Sequence, residues 1–164
     1  MALNTAPMRR LVLVAAGLAA VAVPAQAAQE PYGQTIQGWR FTQDIENGRP
    51  VCRAFSPGPT RNVIIQRLGS GTFVMSVPAS NVRAGQHEEA SFEVGRSAEP
   101  VNARADGNRV YLPVDDPTMG LVIQAGRFRW AVNGRRQMGD VAFNPSLGAA
   151  VNRLRQCTRA NGGR

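Results

Sequence analysis

Cys52, Cys157 and His87 are the only cysteines and the only histidine of this chain. A zinc site needs three or four ligands, which one histidine and one pair of cysteines do not supply. The cysteines lack the C-x-x-C spacing that activates a thiol, so the pattern does not indicate a redox centre. If the chain is exported, the even cysteine count favours a disulfide between Cys52 and Cys157, and two separate buried thiols are the alternative.

His87 is the one candidate for a histidine general base in this chain. It stands in the polar segment 79–89 with Glu88 and Glu89 beside it, which predicts a loop and a solvated surface histidine. No G-x-S-x-G motif supplies a nucleophile for it to activate. We therefore do not expect His87 to act as a catalytic base.

Two groups of acidic residues also have structural explanations. Asp44–Gly48 resembles the start of a calcium loop but lacks the later bidentate acid, and its Asn-Gly pair predicts a hairpin turn. Asp115 and Asp116 form a carboxylate pair, yet Asp116 before Pro117 is typical of a helix N-cap. No phosphate-binding glycine motif is present. The sequence predicts no catalytic residue, metal site or cofactor, so we expect that the chain is not an enzyme.

Residues 1–27 have the pattern of a secretion signal. Arg9-Arg10 is followed by a short apolar run, Leu11–Val23, and then by the small-x-small sequence Ala25-Gln26-Ala27. Cleavage near Ala27 would release the mature chain to the periplasm or the medium, by an ordinary export signal or, less typically, a twin-arginine one. The apolar run is too short to span a bilayer, and no later stretch of the sequence is apolar for long enough, so we expect no transmembrane span in the mature chain.

All the basic residues are arginine. Two of the 19 arginines lie in the predicted signal. The mature chain therefore has 17 arginines and 11 acidic residues, a net charge of +6. The arginines are spread along the chain, which does not indicate specific nucleic-acid binding. Arg127, Arg129, Arg135 and Arg136 are a candidate patch for an anionic surface. The alternative is that these charges only keep a sheet edge soluble.

Alternating apolar residues predict a mainly β fold: one sandwich or partly open barrel of about seven or eight antiparallel strands. A short helix is expected near 117–125 and a C-terminal helix near 145–157. The domain would span 38–158, after a flexible lead-in at 28–37 and before a disordered tail at 159–164. The apolar stripe of the last helix includes Cys157, so a bond to Cys52 would tie that helix to the first hairpin.

The order of these elements resembles the invasion-associated locus B family of small exported alphaproteobacterial proteins. The resemblance rests on the tryptophan strand Gly38–Phe41, the cysteine strand that follows it, Phe73–Pro78 with a loop ending at Gly85, and Val141–Gly148 running into an alanine-rich helix. The family usually has further cysteines, including a central pair, whereas the region Val94–Arg104 has none. The resemblance implies a β-rich domain with a closing helix and an envelope or host-interaction role, without catalytic residues.

These observations predict an exported, non-enzymatic protein that binds a partner or associates with the cell envelope. The partner would be an unidentified protein or an anionic envelope component. The alternative is an inhibitor of a host or competitor hydrolase such as lysozyme, a role that suits small disulfide-closed β-domains. Lysozyme is itself basic, so a chain of the same sign would be poorly steered toward it.

Overall fold

The computed structural model describes residues 29–58, 61–67, 71–134, 136–143 and 146–162. The predicted signal and Arg135 lie outside these residues. The described chain forms ten antiparallel strands and two helices. In chain order they are β1 (Glu30–Pro31), β2 (Arg40–Glu46), β3 (Arg49–Phe55), β4 (Val63–Arg67), β5 (Thr72–Pro78), β6 (Gly85–Val94), β7 (Ser97–Ala105), β8 (Arg109–Asp115), α1 (Asp116–Ala125), β9 (Arg127–Val132), β10 (Gln137–Ala142) and α2 (Leu147–Ala160).

The strands form a single open sheet in the order β1-β2-β3-β4-β5-β8-β7-β6-β9-β10. The predicted mainly β class, with one short and one C-terminal helix, is confirmed. The sheet has ten strands, whereas the sequence predicted seven or eight, because β1 and β7 were not foreseen. The predicted lead-in contains β1, where Glu30 and Pro31 pair with Gln43 and Thr42 of β2.

β7 was missed because its sequence has almost no apolar pattern. Only Ala103 and Ala105 are buried among its nine residues. Its place in the sheet comes instead from the hairpin with β6, whose turn is Gly95-Arg96. Gly95 has a φ of +61°, the left-handed conformation that a tight hairpin turn needs at its first position.

The sheet curls until residues from its two ends meet. Trp39 precedes β2 and Phe143 follows β10, yet their ring centroids are 5.9 Å apart. Phe143 also lies 6.0 Å from Phe128, which stacks on Phe92 at 4.4 Å. The Trp39 indole N–H donates a buried hydrogen bond of 3.0 Å to the Ser146 hydroxyl. These aromatic contacts make the fold a partly closed barrel around one main core.

Helix α2 packs its apolar stripe against β3 and β4. Leu154 and Cys157 are buried on that stripe, as the periodicity predicted. Cys157 is bonded to the equally buried Cys52 of β3, with a Cα–Cα distance of 6.1 Å and a sequence separation of 105. The predicted disulfide is therefore present. The helix runs past its predicted end to Ala160, where the Asn161 side chain donates to the Cys157 carbonyl at 2.9 Å.

The N-cap of α1 is Asp115, not Asp116. The Asp115 carboxylate accepts a 2.8 Å hydrogen bond from the Thr118 backbone N–H, so the helix begins one residue earlier than Pro117 suggested. The Asp116 carboxylate instead pairs with Arg155 of α2 at 2.7 Å. The side-chain and backbone donors of Thr118 lower the pKa of the Asp115 carboxyl. The aspartate pair thus has two structural roles.

Asp115→Ala should lower the free energy of unfolding by about 1 kcal/mol at neutral pH, because it removes the cap. Asp115→Asn keeps a capping oxygen and should cost less. Since the folded pKa of Asp115 lies below its unfolded value, the stabilisation from its charge is present at neutral pH and is lost as the pH falls through the folded pKa. Urea unfolding at neutral and acidic pH should therefore show a smaller acid loss for Asp115→Asn than for the wild type. Equal stability of the two variants at neutral pH would contradict the cap.

Candidate binding groove

A groove lies between the outer edge of β10 and two chain segments across from it. Those segments are Asn62, just before β4, and Val77–Ser80 at the end of β5. The groove has a volume of about 670 Å³, within the range of about 300–1,000 Å³ typical of ligand sites. Its walls come from segments more than 55 residues apart in the sequence, Asn62 and Val77–Ser80 on one side and β10 on the other, because the curled sheet brings β10 round toward β4 and β5.

The outer edge of β10 is an open sheet edge. β10 pairs along its full length with β9, from Gln137 opposite Val132 to Ala142 opposite Arg127. Within the described residues, no strand pairs with its other side. Folded proteins usually protect such edges, because their main-chain N–H and C=O groups can pair with another strand. This edge borders the groove along the whole strand.

Trp130 forms part of the groove lining and is packed over Gly139, its cross-strand partner. A Cβ atom on Gly139 would lie 2.7 to 2.9 Å from three atoms of the indole. Only glycine, which has no Cβ atom, leaves room for the Trp130 indole at this position. Met138, the residue before Gly139 on the same strand, is 56% exposed. The groove thus combines apolar surface with an edge of polar main chain.

Gly139→Ala should lower the free energy of unfolding by about 1–3 kcal/mol, because the indole or the β9–β10 pair must shift to admit the methyl group. The matched control is Gly120→Ala in α1, where an added Cβ meets no atom within 4 Å. That change should raise stability by about 0.5–1 kcal/mol through helix propensity. Urea unfolding of both variants measures the difference. Similar shifts in both would show that Trp130 does not need the space.

The predicted arginine patch is divided in the structure. Arg127 and Arg129 lie on β9 at the end near Ala142, and Arg136 lies beyond the other end of β10. The six residues of β10 place its two ends five residue steps apart, or about 16 Å. Arg129 pairs with Asp140 at 3.1 Å and with Glu93 at 3.8 Å, which offsets part of the local positive charge. Of the three described arginines, only Arg136 lines the groove.

His87 is buried, contrary to the prediction of a solvated surface residue. It lies on β6 beside a β-bulge and is 9% exposed. Its Nδ1 is 2.8 Å from the Asn133 Oδ1, and its Nε2 is 2.7 Å from the Arg83 carbonyl oxygen. The exposed neighbours Glu88 and Glu89 hid this burial, because the bulge breaks the alternation of inward and outward side chains. No sequence signal linked His87 to Asn133.

The segment with calcium-like spacing forms ion pairs within the protein. The buried Arg53 guanidinium of β3 lies 3.5 Å from the Asp44 carboxylate and also pairs with Glu46. Both acids belong to β2, and Asn47-Gly48 turns the chain into β3 with positive φ at both residues. In the part of the chain that the structure describes, no group of three or more histidine, cysteine or acidic residues is placed to hold a metal ion.

A polar network on the outer face of β5 and β8 was not predicted. The Tyr111 hydroxyl donates to the Asp106 carboxylate at 2.7 Å, and the Arg109 Nε donates to the Ser76 hydroxyl at 2.7 Å. The Tyr111 hydroxyl lowers the pKa of Asp106, while burial raises the pKa of Tyr111. Burial lowers the pKa of Arg109. The network joins β8 to β5 and to the turn before β8, so we interpret it as structural.

No family model matches this chain, and no curated protein or solved structure matches it significantly. The resemblance to the invasion-associated locus B family therefore stays a prediction. Among the described residues, neither helix is long and apolar enough to cross a membrane.

Proposed function

We propose that this chain is an exported, non-enzymatic binding protein that holds an extended segment of a partner protein in the groove beside β10. The segment would add as an antiparallel strand to the open edge. The observation that carries this proposal is a six-residue strand edge that no other strand of the described residues pairs with, bordering a groove of about 670 Å³.

An extended peptide suits the groove better than a compact small molecule. The main-chain groups of β10 offer hydrogen bonds to a peptide of about six residues, roughly 20 Å long. Trp130 lines the groove but is only 5% exposed, so the accessible apolar contact on this wall comes mainly from Met138, which is 56% exposed. In strand addition the main chain supplies affinity, and pockets for alternate side chains supply specificity.

The charges around the groove favour an acidic residue in the bound segment. Asp140 already pairs with Arg129 at 3.1 Å, whereas Arg136 lies at the opposite end of the strand and lines the groove. The mature chain predicted from the sequence also carries a net positive charge. An acidic side chain close to Arg136 would therefore be attracted, and a basic one would be repelled.

Export is supported by the buried disulfide together with the signal-like residues 1–27. Disulfides such as Cys52–Cys157 form and persist in oxidising compartments. We propose the periplasm or the surrounding medium as the location, and the cell envelope as the place where the partner is met. Hydrolase inhibition, the alternative raised by the sequence, would use the same groove if the hydrolase contributed the extended segment.

Selection from a phage library of random peptides of about seven residues, with the oxidised protein as bait, tests this function. We expect extended binders with an acidic residue. Arg136→Glu should weaken a selected peptide about tenfold, equivalent to about 1.4 kcal/mol. Arg127→Glu makes the same charge change at the far end of β9 and should alter its affinity less than about twofold. Binders that are insensitive to Arg136→Glu, or a selection without binders, would contradict the proposal.

A further inference from the structure

Four hydrogen bonds form a continuous chain between the segment before β6 and the β9–β10 hairpin. The Gln137 Nε2 donates to the Asn81 carbonyl, and the Asn133 Nδ2 donates to the Gln137 Oε1 at 2.7 Å. The Asn133 Oδ1 then lies 2.8 Å from the His87 Nδ1, and the His87 Nε2 lies 2.7 Å from the Arg83 carbonyl oxygen. The chain thus begins and ends at backbone carbonyl oxygens.

Counting protons along this chain defines the charge state that completes it. The terminal carbonyls of Asn81 and Arg83 can only accept hydrogen bonds. Each of the two side-chain amides presents its NH₂ to one neighbour and its oxygen to the other, so each supplies one proton. A neutral imidazole supplies one more, which leaves one of the four contacts without a proton. Flipping the side-chain amides of Asn133 and Gln137 changes which contact lacks a proton, but one contact still lacks it.

We infer that His87 is a pH-sensitive clamp that fastens the two walls of the groove when its imidazole is protonated. The imidazolium donates from both nitrogens and completes all four bonds. Gln137 belongs to the β10 wall, and Asn81 directly follows Ser80 of the opposite wall. When the imidazolium loses one of its two protons, the bare ring nitrogen faces an acceptor oxygen of Asn133 or Arg83. That contact is no longer a hydrogen bond, so the link between the walls is weaker. The role of the groove rests on the proposed function, whereas the clamp itself does not.

The charged groups around His87 come from three elements. Arg83 belongs to the segment before β6, Glu89 to β6 and Arg136 to the β9–β10 turn, and all three line the cavity of about 700 Å³ beside the clamp. Glu88 follows His87 in sequence and is exposed. On β7 the residue paired with His87 is the apolar Ala103. Histidine ordinarily changes charge between about pH 5 and 8, a range that an exported protein can meet.

Nuclear magnetic resonance of the ¹⁵N-labelled protein with its disulfide intact tests the clamp without any ligand. In a titration from about pH 8 to about pH 5, both His87 ring nitrogens should become protonated in the folded state. The backbone amides of Val82 and Ala84 share peptide units with the accepting carbonyls of Asn81 and Arg83. Both amide signals should therefore shift in the same transition as the ring.

Two variants separate the clamp from a general effect of pH. Gln137→Leu removes the donor to the Asn81 carbonyl. The pH-dependent shift of the Val82 amide signal should therefore disappear, while that of the Ala84 amide signal should remain. Asn133→Gly also breaks the chain, and glycine accepts the positive φ of 54° at this position. A Val82 response that persists in both variants would overturn the inference, as would a His87 ring that keeps one unprotonated nitrogen throughout. A clamp that passes this test while the peptide selection fails would leave the groove without its proposed function.

Discussion

Replacing Cys52 and Cys157 together by alanine should lower the free energy of unfolding by about 4 kcal/mol. The bond spans 105 residues of sequence, and a crosslink over so long a loop strongly restricts the unfolded chain. Both cysteines are buried, so the bond also holds α2 on β3 at the centre of the structure. Such a loss is a large part of the stability of a domain of this size.

Urea unfolding of the oxidised wild type, the reduced wild type and the double variant measures this effect. The reduced protein and the double variant should unfold at similar urea concentrations, well below the oxidised protein. Cys52→Ala alone should match the double variant, because either change opens the same loop. A reduced protein as stable as the oxidised one would contradict the role given to the bond.

Phe128→Ala should lower the free energy of unfolding by about 3–5 kcal/mol, the usual cost of emptying a buried aromatic site. The Phe128 ring stacks between Phe92 at 4.4 Å and Phe143 at 6.0 Å. Phe143 in turn lies against Trp39 beside the other end of the sheet. Removing the central ring therefore interrupts the contacts that keep the sheet curled. It should also widen the groove, because β9 and β10 carry one of its walls.

The neighbouring Arg127→Ala is the matched control, since that side chain is exposed on the same strand. Arg127→Ala should change the free energy of unfolding by no more than about 0.5 kcal/mol. Thermal and urea unfolding give the two stabilities. Phe128→Leu should recover more than half of the loss, because leucine refills most of the space. Equal effects of Phe128→Ala and Arg127→Ala would show that the aromatic stack does not close the fold.

The elements that the sequence predicts best carry a strong local pattern. The apolar stripe of α2 predicted which face is buried, and with it the position of Cys157. Asn47-Gly48 predicted the hairpin that joins β2 and β3. In both cases neighbouring residues contain the information, so the tertiary structure only completes what the pattern indicates.

Other features depend on contacts that no local pattern reveals. β7 is exposed on most of its length and is defined by its partner β6. His87 is buried among polar neighbours, because a bulge and the distant Asn133 decide its environment. The cap of α1 moved to Asp115 because its carboxylate reaches the Thr118 N–H. The misses on β7 and His87 reflect tertiary contacts that override local composition, whereas the α1 cap is a contact within one helical turn, where the local pattern does not distinguish two adjacent aspartates.

The groove belongs to this second group. Its walls join Asn62 and Val77–Ser80 to β10, which is distant in sequence. Only the curl of the sheet brings them together, and that curl depends on aromatic contacts such as Trp39 with Phe143. The sequence did mark Arg136, but as part of one patch with Arg127, Arg129 and Arg135. The length of the strand separates Arg136 from Arg127 and Arg129, and Arg135 lies outside the described residues. Among the described residues, a strand edge flanked by Arg136 takes the place of that patch.

Amide hydrogen exchange of β10 in the presence of a selected peptide tests the central claim most directly. Strand addition predicts that amides of Gln137–Ala142 on the outer edge, which now lack a strand partner within the described residues, exchange at least about tenfold more slowly in the complex. The Glu30 amide of β1, the strand at the opposite end of the sheet order, is the control and should be unchanged; Pro31 has no amide hydrogen. Tight binding with no added protection in β10, or protection at β1 instead, would contradict the account.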